Sequence, residues 1–574
     1  MTVLDGGRID GWGLNMTAKD NTQGALTRRA ALALGAAATL APRATASAEP
    51  RGLLITGGPI YTGLGDGERV EAVVTRGDRI VFTGELADAR TVSSGARHID
   101  LGGAAAYPGF TDCHCHLVEV GLAQMTLDLV GVSSVPELQA RLKAWAAEHT
   151  TGPIVGRGWI ETHWPEHRFP TRADVDAVVA DRPVLLERAD GHAVVVNSKT
   201  LQAAGVGAST PNPPGGEILR DASGAATGMI IDKAQALVRP VFPEPNAAMI
   251  LEATTRADKL YRSRGWTGVH HMSVSTEYLT TLRGMAARDA LGLRVDNYMD
   301  VDFAEEVFAT GPSADPTGRV RLRGIKLYAD GALGSRGAAL LAPYSDRPDS
   351  TGLVRTTPEA MVGYMQKAKA VNAQVAVHAI GDRGNRNVLD AMAQVLGPGR
   401  TDRRWRIEHA QILALDDIPR FAAMGVTASM QTSHAIGDLY FAPARLGDER
   451  LKGAYAWRSL LDSGALVCGG TDAPVEKGDP LIEFYAAVYR HALNGFAAPD
   501  WGLDQVLTRS QALALYTSSS ARAVGRENDL GTLEVGKRAD LTVFSKDLMT
   551  IDPPEILKAK AVMTVSDGRV MFEG

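Results

Sequence analysis

The stretch Asp112-Cys113-His114-Cys115-His116 sets two thiols and two imidazoles side by side behind a carboxylate. Three readings compete for it: a thiolate-rich structural site, a redox pair, or half of a catalytic centre whose thiols are bystanders. The choice turns on whether the apolar run that carries it, Ala104–His116, stands alone. It does not. Similar short runs recur at Thr267–His271, Leu293–Met299, Gly324–Tyr328, Gln374–His378, Trp405–His409, Val426–Met430 and Ala465–Cys468. Most are followed by a polar turn and an amphipathic stretch, as at Pro358–Val371 and Asn385–Leu396. Eight strand–helix units predict an α/β fold, a (β/α)8 TIM barrel, over about 107–524. The interval 117–266 is too long for one crossover and predicts a subdomain inserted after strand one.

Both ends of the chain read differently. Gly52–Thr56, Ala72–Thr75 and Arg79–Thr83 are short strands with turns between them, and Ala539–Phe544, Ala561–Val565 and Arg569–Phe572 repeat the style. Residues 49–106 and 525–574 are therefore expected to form one small β-sandwich domain, since chain ends often lie close together.

Barrel enzymes carry their chemistry at the C-terminal ends of the strands. There the sequence places His114 and His116 on strand one, Lys326 on strand four, His378 on strand five, His409 on strand six and Asp472 just past strand eight. Residues i and i+2 of a strand share a face, so His114 and His116 project together, whereas Cys113 and Cys115 point to the other side. Each site residue has a plainer reading alone. A strand histidine is commonly a hydrogen-bonded core residue, Lys326 a rim salt bridge, Asp472 a helix cap. Together at five strand ends they point to a divalent metal, Zn²⁺ or similar, one ion or two. Asp472 is suited both to ligate and to accept a proton from an activated water.

The ordered set Gly109-Phe-Thr-Asp-Cys-His-Cys-His116, Ile325-Lys-Leu-Tyr-Ala-Asp-Gly-Ala-Leu-Gly-Ser335, Val377-His-Ala-Ile-Gly-Asp382, Arg406-Ile-Glu-His-Ala-Gln411 and Gly470-Thr-Asp-Ala-Pro-Val475 resembles the amidohydrolase superfamily. Within it the likeness is to the YtcJ-like branch that includes N-substituted formamide deformylases. It extends over about residues 50–574, closing with Leu530–Asp540 as the return into the β domain. The resemblance implies that His114, His116 and Asp472 bind the more buried metal. It also implies that Lys326, carboxylated on its amine, bridges to a second metal held by His378 and His409.

Substrate contacts are less sharply marked. Trp159, in the Trp- and His-rich segment Gly156–His167, resembles the family's pocket-forming stretch, with aromatic packing inside the insertion as the alternative. His192, in Asp190-Gly191-His192, reaches either the rim or an internal hydrogen bond. Asp330 and Arg336 follow strand four and either position substrate or order the loop, a solvated salt bridge being the plain reading of Arg336. His270 and His271 end strand two and suggest support behind the ligands.

The chain has 574 residues, a net charge of -6, 45% apolar and 22% charged residues. No basic stripe marks it for nucleic acid, and three cysteines build no disulfide framework. Thr27-Arg28-Arg29 opens an apolar run to Leu40, followed by Ala46-Ser47-Ala48. That is the layout of a twin-arginine export signal over residues 1–48, too short to remain as a membrane anchor. Met16 offers an alternative start. The expectation is thus an exported, metal-dependent amidohydrolase that cleaves an amide-type C–N bond by metal-activated hydroxide, acting on a small N-formyl or N-acyl amine. Homodimer formation is left open. The rivals are a deaminase or cyclic-amide hydrolase on the same barrel and a non-catalytic binding protein. The resemblance sets Lys326 against the deaminase, and the filled ligand positions count against the binding protein.

Overall fold

The computed structural model describes residues 52–574 except 162–163, 189–190, 192, 214–215 and 500. The expected signal segment, 1–48, and His192 lie outside the described residues.

Eight parallel strands form a near-closed barrel. In order they are Phe110–Cys115, Trp266–Val274, Arg294–Asp300, Val320–Tyr328, Gln374–Ala379, Arg406–His409, Thr427–Met430 and Val467–Gly469, here barrel strands one to eight. Each is hydrogen-bonded in parallel to the next. Strands such as Gln374-Val-Ala-Val-His-Ala379 are apolar because helices cover one face and the barrel interior the other. The helix Pro358–Ala370 starts where it should: Thr357 caps it by accepting from Ala360 N, and proline takes the first turn, where its missing N–H costs nothing. The next helix, Asp382–Leu396, turns Val388, Leu389, Met392 and Val395 inward.

The ring closes without a regular ladder between strands eight and one. Just past strand eight, Thr471 and Asp472 donate their backbone N–H groups to the His114 carbonyl, at 3.2 and 2.6 Å, and His116 N donates to Ala473 O at 2.8 Å. Asp112 locks this seam. Its Oδ1 accepts from Thr471 N (2.9 Å) and His114 N (3.1 Å), and its Oδ2 from Thr471 Oγ1 (2.7 Å) and Tyr261 Oη (3.2 Å).

Outside the barrel, one further sheet combines strands from both ends of the chain and a second is built from N-terminal strands alone. Leu541–Phe544 lies between Ala561–Ser566 and Ala105–Pro108 in one, and Leu53–Thr56 lies between Ala72–Arg76 and Arg97–Asp100 in the other. Ile55, Val73, Ile80, Ile99, Leu541, Val543 and Val565 form their common core. Arg294 on strand three grips Asp540 through Nε and Nη2, at 2.7 and 3.0 Å, which joins these sheets to the barrel floor.

Between strands one and two the chain builds a six-stranded sheet with apolar packing on both faces. Along Val184–Arg188, Leu186 belongs to one face and Leu185 to the other, as strand alternation requires. Among the described residues no helix is long and apolar enough to cross a membrane.

Candidate metal centre

At the C-terminal mouth of the barrel the strand ends converge. His114 Nε2 and His116 Nε2 lie 3.4 and 3.2 Å from Asp472 Oδ1. Lys326 Nζ is 3.4 Å from His114 Nε2. The His409 ring sits 4.8 Å from that of His114 and 4.5 Å from that of His378, centroid to centroid. All six sequence-predicted ligand residues therefore occupy one site. The two thiols stand apart from it. Cys113 packs with Cys468 and Ala523, Cys115 is buried in the main core, and all three cysteines are free.

Three of the four imidazoles have a polar group set against them. His114 donates its Nδ1 hydrogen to Glu408 Oε2 at 2.6 Å, which leaves the Nε2 lone pair for the mouth. Glu408 in turn pairs with Arg406, at 3.0 Å from Nη2, and Arg406 also donates to Cys113 O (2.7 Å) and to His270 Nδ1 (2.9 Å) while lying over the Tyr298 ring. His409 donates its Nδ1 hydrogen to Gln431 Oε1 at 2.7 Å. His378 Nε2 lies 3.5 Å from Asp330 Oδ1. In a regular strand Glu408 and His409 would face opposite ways. A φ of +71° at His409 breaks the alternation and lets both residues serve the site.

The electrostatics suit a cation. Burial, then the Lys326 charge, pushes His114 down to about 3, and burial also holds His378 and His409 well below the usual histidine range. His114, His378 and His409 are thus held toward the neutral form that ligates, whereas His116, although burial opposes it, is raised by its contact with Asp472. Burial alone would raise Asp472, but His116, His114 and His409 outweigh it and hold its carboxyl well below the usual carboxylate range. Burial brings Lys326 down to about 8. The Nε2 atoms of His378 and His434 are buried without a hydrogen bond, that of His378 having only the Asp330 carboxylate at 3.5 Å. Ligand atoms of His114, His116 and Asp472 lie within 4.8 Å of one another, as do those of His409, His434 and Asp472. Neutral imidazoles, a carboxylate and orphaned nitrogens fit a divalent ion of the Zn²⁺ type.

The expected substrate contacts are held elsewhere. Trp159 is fully buried in the core of the inserted sheet, donates its indole N–H to Leu186 O at 2.8 Å and packs on Trp164. Asp330 is fully buried and accepts from Ile380 N, Gly381 N and Ala339 N at 2.8–2.9 Å, so it orders the loop after strand four and backs His378. Arg336 forms an ion pair with Asp346 at 2.8 Å. His271 accepts from Leu117 N at 3.1 Å, just behind His116. Sequence reading missed Glu408, Gln431 and His434. Glu408 adjoins a marked histidine, and its buried pairing with Arg406 was the available signal: both sit at i, i+2 on one strand.

A barrel with this centre at its mouth defines a metal-dependent hydrolase. The model of the amidohydrolase family matches residues 97–572, and the chain belongs to that family. It is 35% identical over 529 residues to YtcJ of Bacillus subtilis (strain 168), covering 90% of this chain and 98% of that one. It is 27% identical over 521 residues to the N-substituted formamide deformylase of Arthrobacter pascens, covering 88% and 95%. The crystal structure of an uncharacterized metal-dependent hydrolase from Pyrococcus horikoshii OT3 superposes with a TM-score of 0.75 at 29% identity, over 87% of this chain and 99% of that one.

Glu408→Gln keeps an acceptor for His114 but leaves the Arg406 charge unpaired in the interior. The variant is expected to lose about 3–5 kcal/mol of stability and about 10–100-fold in metal affinity. Denaturant titration and competitive chelation measure the two, and unchanged metal affinity would remove Glu408 from the site.

Proposed function

We propose that this enzyme hydrolyses the C–N bond of a small N-formyl or N-acyl amine, with Asp472 carrying the proton. The observation that supports it is the position of Asp472, whose Oδ1 faces the His114–His116 pair while Oδ2 is turned toward His434, 3.7 Å from its Nε2. The name of the Arthrobacter pascens relative supports the substrate class.

His114, His116 and Asp472 would hold one divalent ion, Zn²⁺ by donor chemistry, and Lys326, His378 and His409 a second. When bound, such ions polarise a carbonyl and lower the pKa of water from ~15.7 to ~7. Asp472, ionised and buried, takes the proton of the attacking water and returns it to the nitrogen that leaves. Glu408 and Gln431 keep His114 and His409 in the required tautomer throughout.

Lys326 serves as a ligand only as its carbamate, formed when the neutral amine takes up CO2 and releases a proton. With Lys326 at about 8, the neutral amine becomes the main form as pH rises through that value. Apoprotein supplied with Zn²⁺ and bicarbonate should therefore take up its second ion more completely above pH ~8 than below it, and Lys326→Met should take up one ion only. Two ions in that variant would sink the bridging role.

Asp472→Asn is expected to fold and to lose at least ~100-fold in kcat on whichever of an N-formyl, N-acyl, carbamate, lactam and aminopurine panel the wild type cleaves. Turnover confined to the aminopurine would replace this reading with deamination.

Export belongs to the proposal on the strength of Arg28-Arg29, the apolar run and Ala46-Ser47-Ala48. Fractionation should find the wild type outside the cytoplasm and the Arg28→Lys, Arg29→Lys double variant inside it. Equal distribution of the two would refute the signal.

A further inference from the structure

Barrel strand seven, Thr427–Met430, runs into Gln431-Thr432-Ser433-His434. The backbone of this segment is anchored. Thr432 N and Ser433 N donate to Glu483 Oε2 at 3.0 and 3.1 Å, and Thr432 Oγ1 bonds to Glu483 and to Tyr516 Oη at 2.9 Å. Gln431 is fixed at one end by its Oε1 contact with His409. His434 lies with its ring 5.9 Å from that of His409, near-parallel to it.

Three side-chain atoms of this anchored segment have no partner, Gln431 Nε2, Ser433 Oγ and His434 Nε2, all buried, and the first and last belong to the side chains that touch His409 and Asp472. Buried polar atoms without a hydrogen bond are rare in folded proteins and disfavour the fold, so a rigid segment that presents three of them, two beside the site, invites a ligand. Their position narrows what that ligand is. Asp472 turns Oδ1 to His114 and His116 and Oδ2 to His434, so His434 occupies the side of the carboxylate away from that histidine pair. Gln431 offers N–H donors beside His409.

We propose that Gln431 and His434 are substrate-contacting residues that bind the scissile amide group beside Asp472. Gln431 donates from Nε2 to the carbonyl oxygen, and His434 Nε2 accepts from the amide N–H on the Oδ2 side of Asp472. An amide fills both of these atoms at once because it carries an acceptor and an N–H in one plane. The inference rests on the proton role proposed for Asp472, and it assigns His434 to substrate instead of to a metal ion with His409 and Asp472.

The test uses full-length, metal-loaded protein and the amide that the wild type cleaves best. His434→Ala should keep wild-type metal stoichiometry and melting temperature while kcat/KM falls on the order of 100-fold, the scale of one lost transition-state contact. His434→Gln, whose side-chain oxygen can accept in place of Nε2, should restore part of that loss and provides a second variant if the alanine form folds poorly. Loss of one metal equivalent in either variant would make His434 a ligand and overturn the inference, as would an unchanged kcat/KM with metal content intact. A wild type inactive on every amide would instead refute the Asp472 reading on which this inference stands.

Discussion

Asp112 joins the first and last strands of a barrel whose ends are separated by most of the chain. One carboxylate accepts from Thr471 twice, from His114 and from Tyr261. Thr471 precedes Asp472, and His114 is itself a site residue, so the bond set that closes the ring also sets the register of both halves of the metal centre. Asp112 is fully buried, and burial pushes it up to about 7 even against these donors. The lack of a regular ladder there follows from the same demand: the backbone past strand eight must turn Asp472, at φ +59°, toward the mouth.

Behind that seam the barrel interior is polar where such barrels are usually filled with branched aliphatic side chains. Arg406, Glu408 and His114 are wholly buried and linked in series. Arg406 holds Glu408 well below the usual carboxylate range although burial opposes it, and the carboxylate then fixes the proton of His114 on Nδ1. A buried ion pair adds little net stability, and removing one partner strands the other charge. Its role is orientation: it presents a neutral Nε2 to the mouth. Gln431 does the same for His409 with an uncharged amide, and Asp330 lies behind His378. His114, His409 and His378 thus have three different polar neighbours, from strand six, from the end of strand seven and from the loop after strand four.

The eight barrel strands were legible because a strand covered on both faces is a short apolar run; seven runs coincide with an observed strand to within a few residues, and the first, Ala104–His116, divides into Ala105–Pro108 of an outer sheet and barrel strand Phe110–Cys115. The residues at the barrel mouth were legible for a related reason: they lie at or close to the ends of those runs. Substrate contacts were not. Trp159, Asp330 and Arg336 are polar or aromatic residues near strand ends, a pattern that core packing and loop ordering also produce. His434 escaped notice because it lies in a helix, Thr432–Asp438, beyond a strand end that carries no ligand of the expected set.

By itself the sequence determined the barrel, the outward turn of Cys113 and Cys115, and the six polar residues at the strand ends. Periodicity and strand alternation are local properties, and two residues at i, i+2 share a face in any strand. Tertiary structure alone decided which side chains stand behind the ligands, which atoms remain unpartnered, and which oxygen of Asp472 faces which histidine. Those are relations between strands far apart in the chain, set by ring closure at Asp112 and by the positive φ of His409 and Asp472. No local pattern encodes them, because the energy of a buried hydrogen bond depends on a partner whose position only the closed barrel defines.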